Sequence, residues 1–140
     1  MNENGFTLAE VLLALGVISI ILLIVSKNVF SLSDTMLTKQ VIEQLKNDLS
    51  YAQARALSSN ELVWVTFDVR EDAYYISSPT FYLERELPTY VTFTFSNFTN
   101  LRFNQFGNTS QSGTIHFQVF NENYKLVILL GMGRFYVEKW

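Results

Sequence analysis

Cysteine is absent from the 140 residues and histidine occurs once. Disulfides and thiolate metal sites are therefore excluded, and a His-rich zinc site has no second imidazole. The redox compartment stays open. Glycine and proline are scarce, at six and two, and neither interrupts the chain between Val17 and Ser78. Charge of one sign is lacking too: ten Lys and Arg against thirteen Asp and Glu leave a net charge of −3. With Glu3 and Glu10 set aside the rest is near neutral, far from the basic balance that favours binding to a phosphate backbone. No serine elbow, phosphate loop or paired-carboxylate motif appears, so no catalytic residue, cofactor, metal or small-molecule substrate is expected.

What the chain has in excess is apolar character, 49% of its residues, concentrated at one end. From Phe6 to Val25 the only polar side chains are Thr7, Glu10 and Ser19. Roughly twenty such residues suffice for a helix to cross about 30 Å of hydrocarbon. A single membrane span over residues 6–26 is expected. A removable secretory signal fits poorly, because residues 1–5 carry no Lys or Arg and no small-x-small cleavage site follows Val25.

Beyond the span Leu37, Val41, Leu45, Leu49, Ala52 and Ala56 recur at steps of three and four, with Lys39, Glu43, Lys46, Asn47, Ser50 and Gln53 on the other faces. That periodicity predicts an amphipathic helix over residues 27–59, ended by the small polar run "LSSN", whose Asn60 tolerates a left-handed conformation. After Asn60 the texture turns β-branched and aromatic. The runs "LVWVTFD", "AYYIS", "YVTFTFS", "LRFNQF", "TIHFQVF", "KLVILL" and "RFYVEK" read as strands. Between them "DVRED", the Pro79 and Pro88 segments, "FGNTSQSG", "NENY" and "GMG" read as turns. Residues 60–140 are thus expected to form an antiparallel sheet packed on the helical stripe, an α+β fold.

Glu10 is the anomaly, a carboxylate just inside the apolar run. With Thr7 it forms T-x-x-E, the signature of a capping box at a helix start. Gln would serve that role without the cost, about 2.5–3.5 kcal/mol at mid-membrane and less at the positive end of a helix, of carrying a charge inward. The hexapeptide "GFTLAE", Gly5 to Glu10, resembles the processing motif of type IV prepilins and pseudopilins. The resemblance implies cleavage between Gly5 and Phe6 by a prepilin peptidase, N-methylation of Phe6, and an assembly role for Glu10. The carboxylate of an incoming subunit would pair with the Phe6 amine of its neighbour and set the axial register. Residues 1–5 would then be the leader.

Two further stretches extend the likeness. Residues 44–68, "QLKNDLSYAQARALSSNELVWVTFD", and residues 101–117 followed by 125–139, ending in "GMGRFYVEK", resemble the GspH/FimT/ComGD group of minor pseudopilins. Length and layout look most like the competence branch of that group in Gram-positive bacteria. The resemblance implies a type IV pilin-like fold and a non-enzymatic subunit of a transformation pilus, needed for pilus assembly and DNA uptake. Its location would be the cell membrane, single-pass, with the N-terminus cytoplasmic before processing, and then the cell-surface pilus. Implied partners are the prepilin peptidase, the major and other minor pseudopilins, a membrane assembly platform and an assembly ATPase. A subunit of a type II secretion system and a membrane-anchored binding module contacting DNA are the alternatives.

The other polar signals have plain readings beside the sharper ones. His116 sits on the face of its strand opposite Ile115, Phe117 and Val119, and packing is preferred to a ligand role. Asp68, Glu71 and Asp72 could offer oxygens to calcium, but a solvated hairpin turn is the simpler reading. Asn97 and Asn108 match the N-glycosylation pattern and are read as turn residues. Gly107 and Gly113 are read as bounding a hairpin connection. Arg134 and Lys139, with Arg102 and Lys125 also in the last forty residues and partly offset by Glu122 and Glu138, and with Tyr124, Phe135, Tyr136 and Trp140 available for stacking, are the candidates for weak DNA contact. The same aromatics serve edge-strand packing, which is preferred.

Overall fold

A computed structural model describes residues 7–98, 100–109 and 111–140, with backbone only over 25–32. Among the described residues one helix, α1 (Leu8–Ser59), is followed by eight strands: β1 (Val63–Asp68), β2 (Ala73–Ser78), β3 (Phe81–Glu86), β4 (Val91–Ser96), β5 (Asn100–Phe103), β6 (Gly113–Val119), β7 (Glu122–Ile128) and β8 (Phe135–Lys139). The chain divides into two compact units, residues 1–37 and 38–140. The α+β class expected from the sequence holds, and Asn60 ends the helix with φ 58° as its tolerance of that region allows.

In the second unit the strands form two antiparallel four-stranded sheets, ordered β3-β2-β1-β5 and β4-β6-β7-β8. The sequence pattern suggested one sheet. Two form because the segment from β3 to β4 leaves the first sheet and the segment from β5 to β6 enters the second, so neither is a hairpin. The Gly107–Gly113 stretch therefore joins two sheets rather than two paired strands, contrary to expectation. Gly113 sits in a close approach, since a Cβ there would lie 2.0 Å from the Phe98 ring.

β3 was not anticipated. Its sequence, FYLERE between two prolines, reads as a charged loop, yet it pairs with β2 from Ala73↔Glu86 to Ser78↔Phe81. It is an edge strand, where alternating charges are tolerated because one side faces water and deter further pairing.

One core joins the elements of this unit. Val41, Leu45, Leu49, Ala52 and Ala56 of α1 are buried with Val63, Val65, Phe67, Ile76 and Leu101 of the first sheet and Phe93, Ile115, Phe117, Leu126 and Ile128 of the second. An aromatic edge bridges the sheets where Phe67 meets Phe93 at 5.9 Å, edge to face, and within the second sheet Phe93 meets its β6 partner Phe117 at 6.5 Å in the same geometry.

Candidate assembly site

Of the expected processing and assembly residues, Gly5 and Phe6 lie outside the described residues, and Glu10 is described together with Thr7. Glu10 turns back on Thr7. The Thr7 backbone N–H and hydroxyl each donate to Glu10 Oε2 at 2.9 Å, and the Glu10 N–H donates to Thr7 Oγ1 at 3.3 Å. This is the reciprocal capping arrangement, which satisfies donors at the start of α1. A carboxylate offers about four lone-pair sites, so holding Thr7 leaves it able to accept from a further donor.

From Leu8 to Ile24 every side chain of α1 is exposed. The surface is apolar all round, with Leu8, Leu13 and Leu23 at 77%, 70% and 69% exposure on different faces. Even Ser19 returns its hydroxyl to the Leu15 carbonyl at 2.8 Å, hiding its polarity within the helix. Such a segment needs an apolar environment on every side. No helix among the described residues is by itself long and apolar enough to cross a membrane. The expected span, 6–26, overruns the described side chains at both ends.

In the second unit α1 is fastened to the sheets by polar contacts the sequence pattern did not reveal. Asp48 is buried, accepts from the Tyr74 hydroxyl at 2.6 Å and pairs with Arg85 Nε at 3.0 Å. Burial first, then Asp48, pushes the Tyr74 phenol far above the usual tyrosine range. Gln53, expected on the solvent face, instead donates to the carbonyls of Gly107 at 2.7 Å and Met132 at 3.0 Å. That tie holds the segment between β5 and β6 and the segment between β7 and β8 against the helix. Arg55 lies 4.4 Å over the Phe81 ring and donates to Thr80 Oγ1 at 3.2 Å. Asp48 had a signal, for it falls seven residues after Val41 within the buried stripe. Gln53 had none, because its partners are loop carbonyls more than fifty residues away.

The candidate DNA contacts do not converge. Arg134 lies just before β8 and Lys139 at its end, so their backbones are roughly 17 Å apart. Lys139 Nζ is 2.5 Å from Glu122, and Lys125 is 2.7 Å from Glu138, which raises the lysine pKa. His116 is on the outer face of β6, its ring 5.0 Å from Trp140 and 5.8 Å from Phe95, as the packing reading had it. Asp68 and Glu71 serve their turn, Asp68 accepting from the N–H groups of Arg70 and Glu71 and Glu71 from the Tyr75 hydroxyl, whereas Asp72 reaches the second sheet and accepts from the Phe93 N–H of β4. Among the described residues no cluster of His, Asp or Glu is placed to hold a metal. Asn97 lies at a bend after β4, its side chain accepting from the Thr114 N–H at 2.8 Å, and Asn108 lies in the loop between β5 and β6, its N–H donating to Asn104 Oδ1 at 3.0 Å.

Two comparisons bear on the motif and the whole chain. The family model described as "Prokaryotic N-terminal methylation motif" matches residues 1–26. Over 139 residues the chain is 30% identical to "Competence protein ComGD" of Bacillus subtilis (strain 168), a match spanning 99% of this chain and 95% of the relative. No solved structure matches.

Proposed function

The chain belongs to the ComGD family of type IV pilin-like pseudopilins, and from that premise we propose that it is a minor pseudopilin of a competence pilus serving DNA uptake. In this reading a prepilin peptidase removes residues 1–5 by cutting between Gly5 and Phe6, and the Phe6 amine is N-methylated. Residues 6–26 lodge in the cell membrane as a single span, residues 27–59 form the amphipathic half of the helix, and residues 60–140 form the β-domain exposed at the cell surface. The chain acts as substrate of the peptidase and then as structural subunit, not as a catalyst.

The observation that carries the assembly role is the placement of Glu10 at the head of an exposed, all-round apolar helix, with its carboxylate held only by Thr7 among the described residues. A charge left in hydrocarbon is costly. The methylated Phe6 amine of a neighbouring subunit supplies a cation that removes that cost, and pairing fixes one subunit against the next. The β-domain carries the surfaces for the major and other minor pseudopilins, while the membrane platform and assembly ATPase drive insertion into the pilus.

Glu10→Gln tests the pairing, since Gln keeps the capping geometry and removes only the charge. The expected outcome is normal membrane insertion and loss of residues 1–5 by intact mass when prepilin peptidase is co-expressed, with reduced pilus incorporation and transformation. Undiminished incorporation of the variant would refute the pairing, and an unchanged mass of the wild-type chain beside active peptidase would refute processing between Gly5 and Phe6.

A further inference from the structure

At one end of the second sheet, where β4 begins and β6 turns into β7, an open groove of about 240 Å³ is lined by Thr89, Tyr90, Thr92, Gln118, Phe120 and Asn121. Its lining holds no Lys, Arg, Asp, Glu or His. Glu122, next along the turn, has its carboxylate committed to Lys139 and to the Tyr124 hydroxyl. The hydroxyls of Thr89 and Thr92 and the amides of Gln118 and Asn121 make no hydrogen bond among the described residues, whereas the polar side chains of the neighbouring turn, Asp68, Asp72 and Glu71, are all engaged. Thr92 and Gln118 face each other across the β4–β6 pair, so their polar groups converge on one surface.

The aromatic wall is held rigid. Tyr90 and Phe120 stack with centroids 4.7 Å apart and planes 4° from parallel, and the Phe120 N–H donates to the Tyr90 carbonyl at 2.8 Å. Phe120 takes φ 52° in the tight turn, a region that bulky residues avoid and that Gly or Asn would enter at far lower cost. The ring is kept there because it packs, with Tyr90, against the core from behind while both rings stay half-exposed, which offsets the backbone strain and anchors the wall.

We propose that this groove binds a neutral glycan. Each hydroxyl of a sugar both donates and accepts, which matches threonine hydroxyls and carboxamides that do the same. The apolar face of a pyranose ring suits the Tyr90–Phe120 wall. Absence of lining cations disfavours a nucleic acid or other polyanion, and absence of lining carboxylates disfavours a basic peptide or a metal. A preorganised wall lowers the ordering cost of binding a flexible oligosaccharide. This site is independent of the assembly role proposed for Glu10.

The test uses the full chain in zwitterionic micelles free of sugar headgroups, titrated with the neutral sugars tetra-N-acetylchitotetraose and cellotetraose while backbone amide shifts are followed by NMR. Saturable shifts centred on Thr92, Gln118 and Asn121 for at least one sugar, unchanged between low and high salt, are expected. Thr92→Val combined with Gln118→Leu, both on the outer face, should weaken that affinity at least about tenfold with unchanged thermal melting. Asn121→Ala gives a second, independent weakening should the double variant melt lower. The proposal is overturned if neither sugar shifts these amides, if the shifts do not saturate, or if the double variant binds as the wild type does. It is equally overturned if only an oligonucleotide or a basic peptide shifts them, in a salt-dependent way.

Discussion

Replacing Asp48 with alanine probes the contact that fastens α1 to the first sheet. The Asp48 side chain is 12% exposed and the whole of Tyr74 only 1%, so the phenol cannot turn to water when its acceptor is removed. A stranded hydroxyl of this kind costs about 1–3 kcal/mol. Arg85 has a side chain 40% exposed, so it can rehydrate, and the ion pair adds less than about 1 kcal/mol. Relief of the carboxylate from burial offsets part of the loss. The net expectation is a destabilisation of about 2 kcal/mol. For a unit of this size that lowers Tm by about 8–16 °C, read from the near-UV circular dichroism of the full chain in micelles, where Trp64 and the buried tyrosines report tertiary packing. Because both partners share one hydrogen bond, Asp48→Ala in a Tyr74→Phe background should cost at least about 1 kcal/mol less than alone. The surface pair Lys46–Glu43, at 36% and 51% exposure, is the control, with Glu43→Ala expected within about 0.5 kcal/mol. A Tm drop under about 4 °C for Asp48→Ala, or strict additivity with Tyr74→Phe, would refute the buried-acceptor account.

Alkaline stability follows from the same tyrosine. Its phenol is raised by burial and by Asp48, so the folded chain holds the proton more tightly than the unfolded one. The stabilisation is fully present below the unfolded pKa of about 10 and declines as pH rises above it. Urea midpoints should fall above that pH, less steeply in Tyr74→Phe, with a residual slope from Tyr124, which is pushed up to about 12 by burial and Glu122; an identical slope in the variant would contradict the assignment. Gly133→Ala should destabilise by about 2 kcal/mol or more, because φ is 64° and a Cβ would lie 2.6 Å from the Gly107 carbonyl oxygen and 2.7 Å from Gln53 Nε2. Gly131→Ala, with φ 99° and open space around the Cβ, carries the backbone strain without the clash, so the two melting temperatures should rank accordingly. Gln53→Ala removes the donor from two loop carbonyls and should cost about 1–2 kcal/mol, checked in the same unfolding assay.

Local pattern alone carried a large part of this molecule. The stripe of Val41, Leu45, Leu49, Ala52 and Ala56 and the alternation in β6 each report a periodicity that burial imposes on neighbouring residues, and both appear in the structure where the sequence put them, as does the left-handed turn at Asn60; in β4 the alternation of Val91, Phe93 and Phe95 breaks, because a register shift after Phe93 leaves Phe95 58% exposed. T-x-x-E was legible for the same reason, since a capping box closes within three residues. What sequence could not display was anything closed by distant partners. β3 became a strand only because β2 was there to pair with it, and Asp48 is tolerable in the core only because Tyr74 and Arg85 arrive from other strands. Gln53 left the solvent face because two loop carbonyls needed a donor. The groove beside Phe120 exists only where β4 and β6 bring Thr92 and Gln118 together. Periodicity is a property of neighbours along the chain, whereas satisfaction of buried polar groups and the shape of a groove depend on neighbours in space, and those were settled by the tertiary fold.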